Sequence, residues 1–466
     1  MKPRRILFIN AIDPFREVET RYPSLAFGYL IASLKQEFGE SAFEFKVVDR
    51  KIPEELSRKG FCPDIVCLSA VTQNFNKAKA YAKLAKEKYG LPVIVGGIHM
   101  TVIPQSLTPE MDIGVIGEGE LKLNKLMRIF QEKGTFPLED LERIDGIVFW
   151  KNGQKIQNKP DVELPDVTSI PIPAREYLTV GRHTYMFTSR GCPYRCAFCA
   201  STHLHKIVRW HPANRVVQEI EHLVTRYHVN LISFSDDLFA GNRKRLKEIA
   251  ALMREKRLVG KVRFTGNARA NLVDQELCDL FNEIGVVSVN MGLESGCQKT
   301  LDFLKDGVKV EQNWNAVQLL KKNKIFTSGS FIIGSPEETR EDVMETFRFF
   351  KKLPLTVTDV YILTPLPGTP VWDYALSKGL VSEDMDWDKI NLSFSDKKVI
   401  LSEVLTAKEL KKYHKMFLRE RFLKLLIGIP KHPYFQDLPV YLWKYLKGFL
   451  RDIGMSFQKR FQRVTA

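Results

Sequence analysis

Apolar and polar positions follow two periods along this chain, and they alternate. "RILFIN" (Arg5–Asn10) is a short apolar run, the form of a strand buried on both faces. "LAFGYLIASLKQEF" then repeats its apolar residues at helical spacing. "FEFKVVD", "DIVCLSAV", "LPVIVGG" and "DIGVIGEGE" read as further strands, with "NKAKAYAKLAKEKY" and "LKLNKLMRIFQEK" as helices among them. Strands separated by helices predict an α/β fold, a Rossmann-like doubly wound parallel sheet over residues 1–135.

Residues 136–178 read as a linker. They hold the short pair "GIVFWKNGQKI", with a turn at Asn152–Gly153, and the Pro-rich "LPDVTSIPIPAR". A second alternating series follows over 179–378. Its strand candidates are Thr184–Ser189, Leu231–Ser235, Val262–Gly266, Val286–Met291, Thr327–Ile333 and Asp359–Leu363. Six βα units in about 180 residues suit a partial parallel (β/α)6 barrel better than a second open sheet. Residues 379–466 read as mixed and then helical, a C-terminal region in which bulky apolar residues stand beside Lys and Arg.

At 466 residues the chain is too long for one ordinary core. The basic residues of "MKPRRILFIN" precede an apolar run of only four residues, unlike a signal peptide, and no stretch reaches the roughly 20 apolar residues of a membrane span. Seven cysteines, three of them crowded together, argue against a disulfide framework, so a cytoplasmic setting is expected. Net charge is +15, but from Leu405 onward 14 Lys/Arg face 4 Asp/Glu. Two thirds of the excess therefore belongs to the tail and says little about the active site.

The crowded cysteines lie in "TSRGCPYRCAFCAST", as Cys192, Cys196 and Cys199. A structural zinc site closes with four ligands, and His203 or His205 offers a fourth. The alternative is a [4Fe–4S] cluster held through three irons, its fourth iron open. The loop falls at the carboxyl end of the first barrel strand, where barrel enzymes place their chemistry.

C-x3-C-x2-C within "SRGCPYRCAFCA" resembles the radical S-adenosylmethionine (SAM) superfamily. "FSDDLF", "GNARANL", "GLESG", "FIIGSPEET" and "PLPGTP" follow in that family's order and carry the resemblance over roughly residues 180–380. The resemblance implies a cluster on Cys192, Cys196 and Cys199 whose open iron binds SAM, and a 5′-deoxyadenosyl radical as the product of its cleavage. It also implies an external one-electron reductant of flavodoxin or ferredoxin type. SAM carries an ammonium and a carboxylate, so Asp236, Asp237 and Glu294 are the candidate carboxylates and Arg269 the candidate cation. The plainer readings are that one of the Asp pair caps the next helix, and that Glu294 and Arg269 form ordinary ion pairs. Phe198, between two ligand cysteines, is expected to flank the adenine or to shield the cluster. Cys62, Cys67, Cys278 and Cys297 read as inert thiols, so no second cluster is expected.

The first βα turn lacks G-x-G-x-x-G, which argues against a dinucleotide. The later turns carry Ser69, Thr72 and Gln73 in "LSAVTQNF", Gly96, Gly97 and His99 in "VGGIHMT", and Gly117, Glu118 and Gly119 in "GEGE". All follow strand carboxyl ends, where such sheets bind ligands, and small residues there admit a large flat ligand to the backbone. Without a ligand they are tight-turn residues. These segments resemble the cobalamin-binding domain fused to many radical SAM enzymes, which implies cobalamin contacts at the residues named. Lys51 stands where other cobalamin proteins place an axial histidine, so none from the protein is expected. His99 is read either as a contact or as a polar turn residue.

For the tail the expectations, in order, are closing the barrel, lying on a membrane surface through Lys424, Lys444, Lys447 and Arg451, or binding RNA; nucleic acid is the least expected partner. The leading function is a cobalamin-dependent radical SAM methyltransferase acting on an unactivated carbon of a small-molecule, amphiphilic or lipid substrate. A cyclase with the same cofactors is the sibling reading, and a non-catalytic zinc-knuckle protein the reading of another class.

Overall fold

A computed structural model of the chain describes residues 3–12, 24–49, 52–57, 60–160, 164–201, 207–391 and 398–428. The first sheet has seven strands: β1 (Arg4–Asn10), β2 (Phe43–Val48), β3 (Ile65–Ser69), β4 (Val93–Gly96), β5 (Ile113–Val115), β6 (Ile147–Lys151) and β7 (Gln154–Gln157), in the order β2-β1-β3-β4-β5-β6-β7. The first five pair in parallel, as their unbroken apolar runs require, and Ile6, Leu7, Phe8 and Ile9 of β1 are fully buried. The helices Leu25–Phe38 and Glu120–Lys133 fall where their periodicity put them.

The segment expected to begin the linker instead completes this sheet. β6 adds antiparallel to β5 and β7 to β6. Asn152 (φ 52°) and Gly153 (φ 76°) form the hairpin turn, and Ile147, Val148 and Phe149 are fully buried. The first sheet therefore runs on to Gln157, because three apolar residues in a row needed a core. The described residues that follow are firmly held. Buried Arg175 pairs with Glu219 at 2.7 Å, and Arg215 donates to the Ile170 carbonyl at 3.0 Å.

The second sheet contains β8 (His183–Met186), β11 (Leu231–Phe234), β12 (Arg263–Asn267), β13 (Val286–Glu294), β14 (Phe326–Ile333) and β15 (Val357–Ile362). All pair in parallel, in the order β15-β14-β13-β12-β11-β8, so this is an open (β/α)6 barrel. Between β8 and β11, β9 (Ser189–Arg190) and β10 (Arg209–Trp210) form a small antiparallel pair.

After the helix Pro370–Ser377 the described residues are mixed before they turn helical, as expected. Among them a single turn at Trp387–Lys389 carries buried Trp387, which acts as an anchor. The helix Ala407–Gly428 then packs along β15. His414 Nε2 lies 3.0 Å from the Val360 carbonyl, and Arg421 pairs with Asp359 at 3.1 Å. This helix thus covers the β15 edge of the barrel. Lys424, one of the proposed membrane lysines, instead donates to the Lys351 and Leu353 carbonyls at 3.0 and 2.7 Å. Lys444, Lys447 and Arg451 lie outside the described residues, as do Lys51, His203 and His205. Among the described residues no helix is long and apolar enough to cross a membrane.

Candidate active site

Cys192, Cys196 and Cys199 occupy the loop leaving β9, all as free thiols. Gly191 (φ 90°) turns the chain into this loop. The loop is tied down on its far side: Ala197 N–H donates to the Leu304 carbonyl at 3.0 Å, and the Ala197 carbonyl accepts from Val371 N–H at 3.3 Å. Burial, together with Asp237, Cys196 and Cys199, pushes the Cys192 thiol up to about 11. The three sulfurs do not crowd as ligands of one ion would. A tetrahedral zinc with Zn–S near 2.3 Å places sulfurs roughly 3.8 Å apart. Among the described residues only Cys297, Asp342 and Glu345 bring three such ligand atoms within 4.8 Å, and Asp342 is already engaged in the capping box of its own helix.

Asp236 is fully buried. Its Oδ1 accepts from Thr188 N–H at 2.6 Å and Ser189 N–H at 2.7 Å, and its Oδ2 from Thr188 Oγ1 at 2.5 Å. Burial raises its carboxyl, against the pull of Thr188 and Arg245. Asp236 therefore fastens the approach to the cluster loop, with its oxygens already engaged. Asp237, by contrast, is exposed and faces the cavity described below. Neither residue caps a helix; Asn242 does, accepting from Arg245 N–H at 3.0 Å.

Arg269 reaches the loop itself. Its Nη1 lies 3.4 Å from Cys196 Sγ and its guanidinium 3.7 Å from the Tyr194 ring centre. Glu294, at the end of β13, has φ 58°, uncommon for a non-glycine residue. A bulge in the register between Gly292 and Glu294 permits this, and the carboxylate folds back over Gly292, where an added Cβ would lie 2.0 Å from Glu294 Oε1. Lys305 holds it there at 3.3 Å and also donates to the Gly292 carbonyl. Burial raises the Glu294 carboxyl, opposed by Lys305 and Arg269. Phe198 packs on the apolar core that joins the two domains.

A cavity of about 320 Å³ opens between the first sheet and the barrel mouth. Ligand pockets run roughly 300–1,000 Å³. The sheet side brings Ser69, Gly96, Gly97, Gly117, Glu118 and Gly119, and the barrel side Phe187, Arg190, Gly191 and Asp237. Gly97 (φ 97°) admits no side chain: a Cβ would lie 2.8 Å from the Ala70 carbonyl oxygen. Thr101 Oγ1 accepts from Gly117 N–H at 3.0 Å and donates to the Gly97 carbonyl at 2.9 Å, locking the two glycine turns together. This bare, rigid backbone shelf fits the face of a corrin. Thr72, Gln73 and His99 do not line it. His99 is fully buried, its ring 3.9 Å from Phe75 and 4.5 Å from Trp387, with Nδ1 3.2 Å from Thr72 Oγ1. Burial, with Lys79 adding, lowers it to about 3, so it is a neutral core histidine.

The sequence reading missed the group that joins the two sides. Arg190, two residues before Cys192, pairs with Glu118 at 2.5 Å and Glu120 at 2.6 Å, and Arg209 also grips Glu118. Burial alone would raise the Glu118 carboxyl; Arg190 and Arg209 hold it below its ordinary value. Lys305 was missed as well. Only the proximity of Arg190 to Cys192 offered a signal in the sequence.

Comparison with known proteins follows the same division. The radical SAM superfamily profile matches residues 186–350 and the B12 binding domain profile residues 15–126. A protein named as an uncharacterized methyltransferase in Pyrococcus horikoshii is 33% identical over 84% of this chain and 86% of its own length. An anaerobic magnesium-protoporphyrin IX monomethyl ester cyclase of Rubrivivax gelatinosus is 27% identical over 98% of this chain and 84% of its own. The solved radical SAM methyltransferase of Kitasatospora setae, with cobalamin and [4Fe–4S] cluster bound, superposes with a TM-score of 0.68 at 20% identity, covering 81% of this chain and 76% of that one, a likeness of fold. With both profiles matched in order and a relative similar along most of its length, the chain belongs to the cobalamin-binding radical SAM enzymes, whose cofactors are a [4Fe–4S] cluster, SAM and cobalamin.

Proposed function

We propose that this enzyme transfers a methyl group to an unactivated carbon of a small molecule. One observation carries the reading: a single cavity is walled by the glycine shelf of the first sheet and by Phe187, Arg190, Gly191 and Asp237 beside the cluster loop. When bound, the cofactors supply a hydrogen-abstracting carbon radical from SAM and a methyl group released by homolysis from cobalamin. Both must face one substrate atom, and a cavity wall shared by the two domains supports their meeting at one opening. Cys192, Cys196 and Cys199 would hold the cluster, and an external one-electron donor would reduce it.

The chain's own residues would do the rest. Asp237 and Glu294 would meet the ammonium of SAM, and Arg269 its carboxylate. Asp236 keeps the loop in register through Thr188 and Ser189. Phe198 and the apolar core behind it exclude water from the cluster side. Ser69, Gly96, Gly97 and Gly117–Gly119 would carry the corrin.

The similarity to the Rubrivivax cyclase supports a second reading, oxidative ring closure with the same cofactors. Methyl-labelled SAM separates them. Methyl transfer yields labelled product, S-adenosylhomocysteine and 5′-deoxyadenosine in about equal amounts, as a scheme using one SAM for each task requires. A ring-closed or oxidised product without label moves the assignment to the cyclase.

A further inference from the structure

We propose that the substrate is a polar small molecule, bound through hydroxyl, amide or carbonyl groups along the inner wall of the six-stranded barrel. The inference rests on the radical reading of the barrel mouth and adds the substrate class.

Side chains alternate across the barrel strands. One set, including Phe234, Phe264, Met291 and Phe331, is buried and belongs to the core packed under the helices. The other set points to the opposite, inner face. There Ser233 Oγ accepts from Thr265 Oγ1 at 2.9 Å, and Asn290 Oδ1 accepts from Ser328 Oγ at 3.0 Å. Asn267 stands beside Asn290 in register, their amides 3.5 Å apart. Asn290 is exposed although it is the middle residue of the nine-residue β13. Closed parallel barrels fill this position with Val, Ile and Leu. Here the middle strands leave Asn290 exposed and carry small hydrogen-bonding groups, while the register brings Tyr185 beside Ser233 and Phe326 beside Ser288 on the same face.

The wall ends where the chemistry begins. Asn290 lies four residues down β13 from Glu294, roughly 13 Å at 3.3 Å per residue. A molecule of about that length would reach from the amide wall to the radical. At the far edge, Asp359 and Arg421 face each other at 3.1 Å, each about 40% exposed, and add a charged margin. A hydrocarbon chain in this trough would cover hydroxyls and amides without replacing their water, which is unfavourable. The interior therefore disfavours a lipid among the substrates expected from the sequence.

The test uses anaerobic holoenzyme, reductant, methyl-labelled SAM and two extracts of the source cells, one in aqueous methanol and one in chloroform. The aqueous extract is expected to raise 5′-deoxyadenosine formation at least tenfold, and the chloroform extract not to. Asn290→Leu and Ser328→Val are expected to cut that stimulation at least tenfold while iron and cobalamin contents match the unaltered protein. Ser328→Ala removes the hydroxyl without adding bulk and decides the matter if the larger variants fold poorly. Stimulation by the chloroform extract, by neither extract, or unchanged in all three variants overturns the proposal. Aqueous stimulation with no label in the product leaves the polar wall standing and removes methyl transfer, so the two readings fail separately.

Discussion

Asp236 and Asp237 are neighbours in one motif with the same chemistry, yet the structure gives them different work. The first is buried under Thr188 and Ser189, and the second is exposed in the cavity. The motif told that a carboxylate was needed after β11. Which of the two served was not legible, because the answer depends on N–H groups 47 and 48 residues earlier in the chain. The division is measurable. Asp236→Ala leaves two buried N–H groups without their acceptor, so it should lower unfolding free energy by about 2–6 kcal/mol, at about 1–3 kcal/mol for each group left unsatisfied. Asp237→Asn should leave denaturant stability nearly unchanged and weaken SAM binding by roughly tenfold, about 1.4 kcal/mol. Calorimetric titration beside urea unfolding reads both. If Asp237→Asn destabilises the protein and Asp236→Ala weakens only SAM binding, the roles are reversed.

Among the elements, the two-residue pair β9–β10 explains how one domain depends on the other. Its register sets Arg190 directly opposite Arg209. Like charges in that position repel. Glu118, from a turn of the other domain, sits between them and accepts from both. The strands and helices of each domain were legible from periodicity, because a repeating burial pattern is written locally. This latch was not, since Glu118 and Arg190 are 72 positions apart and neither lies on a periodic face. β6 and β7 stood out as a pair, but the sheet they join could not be read from eleven residues. The latch predicts coupling. In a double-mutant cycle of Glu118→Gln and Arg190→Met, measured by urea unfolding, the interaction energy should be about 1–3 kcal/mol. Cobalamin affinity should fall in each single variant, because the turn that carries Glu118 also carries Gly117 and Gly119. Additive stability effects with unaltered cobalamin binding would reduce the latch to a surface pair.

At the scale of the whole molecule, the apolar core ignores the domain division that the sequence suggests. One cluster takes in Leu7, Val66 and Val95 of the first sheet, Ile332 and Leu363 at the barrel end, and Trp372, Trp387 and Ile390 beyond it. Trp387 is the hinge pin: 2% exposed, edge-on to His99 at 4.5 Å and 6.0 Å from Trp372. His99 is buried for the same reason: a tryptophan 288 positions later packs on its ring, and no local pattern announces that. The shared core makes a prediction about cooperativity. Apo-protein should unfold in one transition, followed equally by far-ultraviolet dichroism and by tryptophan fluorescence, because neither domain can open without exposing the other's apolar surface. Trp387→Ala removes the bridging ring from a packed site and should cost about 3–5 kcal/mol. The loss should fall on the contact between the domains more than on either sheet. Unfolding should then separate into two steps, the barrel and the first sheet melting at different denaturant concentrations. A single transition merely shifted to lower denaturant would mean that the latch and the remaining apolar contacts suffice to hold the two sheets as one body.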